Sequence, residues 1–225
     1  MTRLALTTRI VKPVAFVSGL GPLAWLLWGG FGGGGLGADP VKKIQNVTGL
    51  TTLILLFVTL AVTPLRRLTG WNEIIKLRRM IGLFAFFYAV LHAFTYFVFD
   101  QSLSLQLILD DARKHPRIFV GLAAFLLLIP LAVTSTDKMV RRLGGKRWAK
   151  LHQLIYVAAA GGVLHYLWVV KWDVREPIEF AWVFVALMAA RVWYRRKEQV
   201  ARARRPAIQP AAVTSGLQPE LDSPA

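Results

Sequence analysis

The chain has no cysteine among its 225 residues. Disulfides, iron–sulfur clusters, thiolate catalysis and thioether attachment of a c-type haem all need a thiol, so all four are excluded. Acidic residues are scarce: 12 Asp and Glu stand against 28 Lys and Arg, leaving a net charge of +16. No Gly-x-Gly-x-x-Gly element follows a strand and opens a helix, so a dinucleotide-binding fold has no sequence basis. The run GGFGGGGLGADP is glycine-rich without that context and reads as a flexible loop. The hydrophobic run before it, with Trp25 and Trp28, lacks the small-residue cleavage site of a secretory signal and is read as retained.

What the chain does have is apolar length. Hydrophobic residues make up 55% of it, and six runs are long enough to cross about 30 Å of hydrocarbon: residues 13–30, 44–65, 80–99, 118–136, 151–170 and 177–190. The sixth is the shortest. Glu179 stands near its start and Arg191 ends it, while Trp182, Trp193 and Tyr194 supply interfacial anchors. The predicted fold is an all-α integral membrane protein, a bundle of six transmembrane helices. Residues 1–12 form the N-terminus, 13–196 the membrane domain, and 197–225 a flexible tail rich in Pro, Ala and polar residues that cannot build a core.

Charge orients the bundle. With six spans both termini share one side, and that side holds 21 of the 28 Lys and Arg: the N-terminus, residues 66–79, residues 137–150 and the chain from Arg191. These segments are expected to be cytoplasmic, which makes the protein a multi-pass membrane protein with both termini inside. Orientation and contact with anionic lipid explain the basicity, and no base-reading or base-stacking module points to nucleic acid.

Three histidines lie inside or at the edge of these apolar runs: His92, His152 and His165. An ionisable side chain in a membrane span marks a pathway or a cofactor, and imidazole is a common axial ligand of haem iron. At about 1.5 Å per residue, His92 lies about 18 Å from the inner end of the third span and His165 about 21 to 24 Å from the same side in the fifth. The two are level, so the expectation is a non-covalent b-type haem between them, in the outer half of the membrane. Ala85, Ala89 and Ala93 on one helix and residues 158–162 on the other offer small neighbours for a porphyrin face.

His152 stands a helical rise of about 20 Å below His165, enough for a second cofactor level. On one ideal helix the two rings point roughly 140° apart, so a shared face requires a bend near Gly161 and Gly162. A second haem ligand and an interfacial histidine are both open readings of His152. His115, in DDARKHPR, reads as a solvated loop residue. Arg78 and Arg79, where the third span enters from the inside, serve positive-inside anchoring; a guanidinium fork there would also suit haem propionates or a flavin phosphate.

The segments GGLGADPVKKIQNVTG, TPLRRLTGW, IKLRRMIGLFAFFYAVLHAFTY, TSTDKMVRRLGGKRWAKLHQLIYVAA and LHYLWVVKWD resemble the MsrQ (YedZ) family, itself similar to the ferric-reductase-like transmembrane superfamily. The resemblance covers residues from about 15 to 195. It implies a haem-binding membrane subunit of a periplasmic methionine-sulfoxide reductase system, carrying haem b and an associated FMN. It also implies electron delivery to MsrP, a periplasmic molybdopterin enzyme, from the quinone pool or a cytosolic flavin reductase. In the wider superfamily, paired histidines on spans three and five hold two stacked haems. The outer pair maps onto His92 and His165, whereas Arg78 and Arg79 occupy the place of an inner ligand on span three.

The function expected is therefore that of a membrane cytochrome b, an electron-transfer subunit with no substrate chemistry of its own, whose partner docks on the outer face, including the GLGADP loop and residues 171–176. A free-standing ferric reductase is the alternative within redox chemistry. A transporter moving protons or metal ions through intramembrane histidines is the alternative from another class.

Overall fold

In hydrocarbon each backbone amide and carbonyl must be satisfied within its own segment, which leaves the helix as the solution for separate apolar runs. The computed structural model describes residues 2–33, 35–170 and 174–203, and every element in them is helical. We label the helices α1 (Arg3–Phe31), α2 (Pro40–Thr69), α3 (Asn72–Asp100), α4 (Leu105–Lys114), α5 (Pro116–Val133), α6 (Asp137–Leu143), α7 (Gly145–Leu151), α8 (Leu154–Val169) and α9 (Arg175–Ala203). α1 passes through a π-helical stretch at Thr7–Val11; α3 opens with a 3₁₀ turn at Asn72–Lys76 and closes with a π-helical turn at Tyr96–Asp100.

Five of these, α1, α2, α3, α5 and α9, are long and apolar enough to cross a membrane. The chain is a multi-pass membrane protein on that count. α8 is equally apolar in sequence but has 16 residues, about 24 Å of rise. The first run starts earlier than its hydrophobicity suggests, at Arg3, because polar Thr7 and Thr8 turn their hydroxyls back to the carbonyls of Arg3 and Leu4.

The chain divides into two compact units, Met1–Ala190 and Arg191–Ala225. The second is helical over its described residues, 191–203. The tail expected at 197–225 lies outside the described residues from 204 onward, as do residues 171–173 of the expected docking segment.

Within the first unit, α2 packs chiefly on α3 and α5 on α8. Contacts of α3 with α5 and of α2 with α8 close a four-helix ring, in which α3 and α8 stand across from each other. α2 begins cleanly because the Asp39 side chain accepts from the Lys42 amide at 3.0 Å, with Pro40 as the first helical residue. It ends at Gly70, whose φ of +66° is the left-handed conformation that closes a helix without a Cβ penalty. The ring's core is made by Leu53, Leu56, Phe57 and Leu60 of α2, Ala85 and Ala89 of α3, Leu128 and Leu131 of α5, and Ile155, Ala158, Ala159 and Val163 of α8. Small residues on α3 and α8 let backbones approach, which matters where lipid is as apolar as the core and packing supplies the attraction. Phe86 of α3 stacks on Phe125 of α5 with ring centres 6.2 Å apart.

α1 leans on α3 from outside the ring. The fully buried Tyr88 donates to the Gly19 carbonyl at 2.7 Å and accepts from the Leu23 amide at 3.1 Å, on either side of Pro22. Near the start of α1, Trp71 donates through Nε1 to the buried Thr7 hydroxyl at 3.0 Å. The outward faces of α1 and α9 carry exposed Val14, Phe16, Val17, Trp182, Val183 and Val185; continuous apolar surface of this kind suits lipid.

The segment 100–117, expected as a loop, is folded further than that. Ser104 caps α4 by accepting from the Leu107 amide, and the ten-residue helix keeps Leu105, Leu107 and Leu109 exposed while Ala112 is buried.

Candidate functional site

His92 and His165 come together across the ring, one from α3 and one from α8, with ring centres 6.1 Å apart and planes at 82°. Counting rise along two separate spans predicts the same depth, and the fold supplies the facing. Each ring is held from behind. His92 Nδ1 lies 3.0 Å from the Gln45 carbonyl of α2, and His165 Nδ1 lies 2.7 Å from the Arg117 carbonyl of α5. A carbonyl only accepts, so both Nδ1 atoms carry the proton and both Nε2 atoms keep a lone pair.

These two acceptors escape sequence reasoning. They are backbone groups, and neither Gln45 nor Arg117 announces through its side chain that its carbonyl will meet an imidazole. The Gln45 side chain points to a second partner, donating from Nε2 to Asp100 at 3.0 Å.

The pair fits an iron between the rings. A metal–imidazole bond of about 2.0 Å on each side, with about 1.1 Å from each nitrogen to its ring centre, gives roughly 6 Å between centres. Among the described residues no group of three or more His, Cys, Asp or Glu gathers into a site for a bare metal ion. Two neutral imidazoles suit a metal that brings its remaining ligands with it, as haem iron does.

A polar layer lies one turn beyond His92 along α3, at Tyr96. Asp111 accepts from Tyr96 at 3.0 Å, from Gln101 Nε2 at 3.1 Å and from His115 Nδ1 at 2.8 Å. His115 is therefore tied down rather than free in solvent: it ends α4 and precedes Pro116, the first residue of α5.

His152 is elsewhere and is engaged differently. The helix is interrupted at His152 and Gln153, between α7 and α8, so His152 does not ride on the helix of His165 and the ideal-helix angle between the two rings does not apply. Its ring stacks on Trp148 with centres 4.0 Å apart, and its Nε2 lies 3.1 Å from the Thr134 hydroxyl. That hydroxyl already donates to the Pro130 carbonyl at 2.6 Å, so it accepts from His152 and the proton sits on Nε2. Arg79, near the start of α3, pairs with Asp137 at 2.7 Å.

Residues 47–163 match the family described as ferric reductase like transmembrane component. The class is thus a ferric-reductase-like membrane bundle, with α3, α5 and most of α2 and α8 inside the matched region. Relatives that match most of the chain narrow it. A protein of Herminiimonas arsenicoxydans is 48% identical over 86% of this chain and 91% of its own length. One of Rhodospirillum rubrum is 49% identical over 82% and 88%, and one of Xanthomonas axonopodis pv. citri 42% identical over 94% and 99%. All three are named protein-methionine-sulfoxide reductase heme-binding subunit MsrQ. The chain belongs to the MsrQ family.

Proposed function

We propose that the chain is a six-span membrane cytochrome b of the bacterial inner membrane, with both termini cytoplasmic, that passes electrons outward to a periplasmic methionine-sulfoxide reductase. The observation that carries this reading is the His92–His165 pair, 6.1 Å apart with both Nδ1 atoms bonded to carbonyls. The names of the relatives support the heme and the methionine-sulfoxide reductase system. α8, though short, is the sixth span in this topology, and the membrane domain covers residues 13–196.

His92 and His165 would hold one haem b through their Nε2 atoms. When bound, the haem supplies one-electron redox change at its iron, and the protein sets its place and potential. The Gln45 and Arg117 carbonyls fix the tautomer and raise the basicity of each ring. The electron acceptor is MsrP, a molybdopterin enzyme, and the donor is the quinone pool or a cytosolic flavin reductase. Arg78 and Arg79 stand at the inner end, where they suit haem propionates or the phosphate of an associated FMN. A second haem there would take His152, whose Thr134 bond would then have to be given up.

The test is an optical spectrum of the detergent-purified protein, oxidised and then reduced with dithionite. His92→Ala and His165→Ala each remove most of the low-spin b-haem signal, while His115→Ala leaves it unchanged. Full haem retention in both variants, or no Soret band in the wild type, would overturn the assignment and favour proton or metal transport. Fast reoxidation by ferric chelates, with no dependence on a methionine-sulfoxide reductase, would favour a free-standing ferric reductase.

A further inference from the structure

Both imidazoles meet a glycine, and at the same offset. His92 bonds to the carbonyl of Gln45; four residues further along α2 is Gly49, where an added Cβ would stand 3.0 Å from His92 Cε1 and 3.1 Å from Nδ1. His165 bonds to the carbonyl of Arg117; four residues further along α5 is Gly121, where a Cβ would stand 2.7 Å from His165 Nδ1 and 2.8 Å from Cε1. The four-residue offset has a geometric cause. In an α-helix the carbonyl at position i receives the amide of position i+4, and the Cβ at i+4 tilts back toward the N-terminus, over that carbonyl. A side chain there shades the carbonyl's second lone pair. A bare Cα leaves it open to a donor from another helix.

We propose that Gly49 and Gly121 are positioning residues for His92 and His165: each opens a notch in its helix through which the imidazole reaches the carbonyl, which fixes the ring's tilt and keeps its proton on Nδ1. The proposal rests on the reading of the pair as haem ligands. Its physical content is a displacement. Alanine at 121 puts a methyl inside the contact distance of the His165 ring, so either the ring leaves Arg117 or the two helices part. Alanine at 49 asks for a smaller shift of the same kind. The glycines do not touch the iron, and they act through the angle and hydrogen bond of the ligand that does.

The experiment compares Gly49→Ala, Gly121→Ala and Gly19→Ala in the full-length, haem-loaded protein. Gly19 is the control, since a Cβ there would crowd the Phe84 ring at the same 3.0 Å but away from both histidines. Gly121→Ala is expected to weaken haem affinity roughly 10-fold or more, the usual scale for losing a partner behind a metal ligand. Gly49→Ala is expected to keep its haem but to shift the electron paramagnetic resonance g-values and the midpoint potential, which report ligand orientation. Gly19→Ala lowers thermal stability without moving either readout. Where Gly121→Ala does not accumulate in the membrane, Gly49→Ala decides. Wild-type g-values, potential and haem affinity in the glycine variants overturn the proposal, as does an equal shift in Gly19→Ala. Haem retained in both histidine-to-alanine variants would instead sink the haem reading itself, so the two failures are separable.

Discussion

Replacing Tyr88 with Phe removes a single oxygen from a fully buried side chain that ties α1 to the ring. Two hydrogen bonds go with it, and the simple sum at about 1 kcal/mol each would be near 2 kcal/mol. The structure argues for less. Gly19 and Leu23 are four residues apart in one helix, so their carbonyl and amide remain neighbours in the helical ladder and neither is stranded. Hydrogen bonds between membrane helices also average only about 0.6 kcal/mol in the setting where they are best measured. The expected cost of Tyr88→Phe is therefore about 1 kcal/mol. Tyr88→Ala empties an aromatic-sized volume between α1 and α3 and should cost about 3 to 5 kcal/mol. Reversible unfolding in mixed detergent micelles, followed by tryptophan fluorescence, measures both. A loss above about 3 kcal/mol for the Phe variant would refute the reasoning, because it would mean that the hydroxyl satisfies groups the helix cannot satisfy alone. Pro22 would be the place to look, since it has no amide to give the Ser18 carbonyl.

His152→Ala is expected to cut the haem-to-protein ratio by about half if this residue ligates a second haem, and to leave it unchanged if the Thr134 and Trp148 contacts are its whole role; pyridine haemochrome titration against protein concentration separates the two. With no native cysteine to interfere, Ser102→Cys should react with an impermeant thiol reagent on intact spheroplasts, whereas Lys146→Cys should react only after permeabilisation. The reverse pattern would invert the proposed topology.

Much of this protein is readable because a membrane simplifies the rules. Apolar runs of the right length become helices, and depth can be counted in residues from the charged ends; that arithmetic alone makes His92 and His165 level. Contacts to partners that carry no residue signature are not legible in this way. The carbonyls of Gln45 and Arg117 are such partners. Gly49 and Gly121 look from sequence like any other small residues in a span. The angle of about 140° between His152 and His165 holds for one continuous helix, and nothing in KLHQLIY marks the interruption at His152 and Gln153. α4 is hidden by its length, since ten residues with four charges resemble a loop until Ser104 is seen capping them.

The brevity of α8 has an electrical consequence. His165 stands four residues before the last residue of the helix, Val169, so the imidazole pair lies about 6 Å from its outer end. In the proposed topology, an electron entering from the cytoplasm has crossed about four-fifths of a 30 Å barrier by the time it reaches this level. The cytoplasm of a respiring cell is the negative side, so that crossing runs with the membrane potential. A full crossing gains about 2.3 kcal/mol per 100 mV, and four-fifths of it is about 1.8 kcal/mol. An energised membrane would thus pull reducing power toward the periplasm through this bundle, and a de-energised one would leave only the difference in midpoint potentials to drive it.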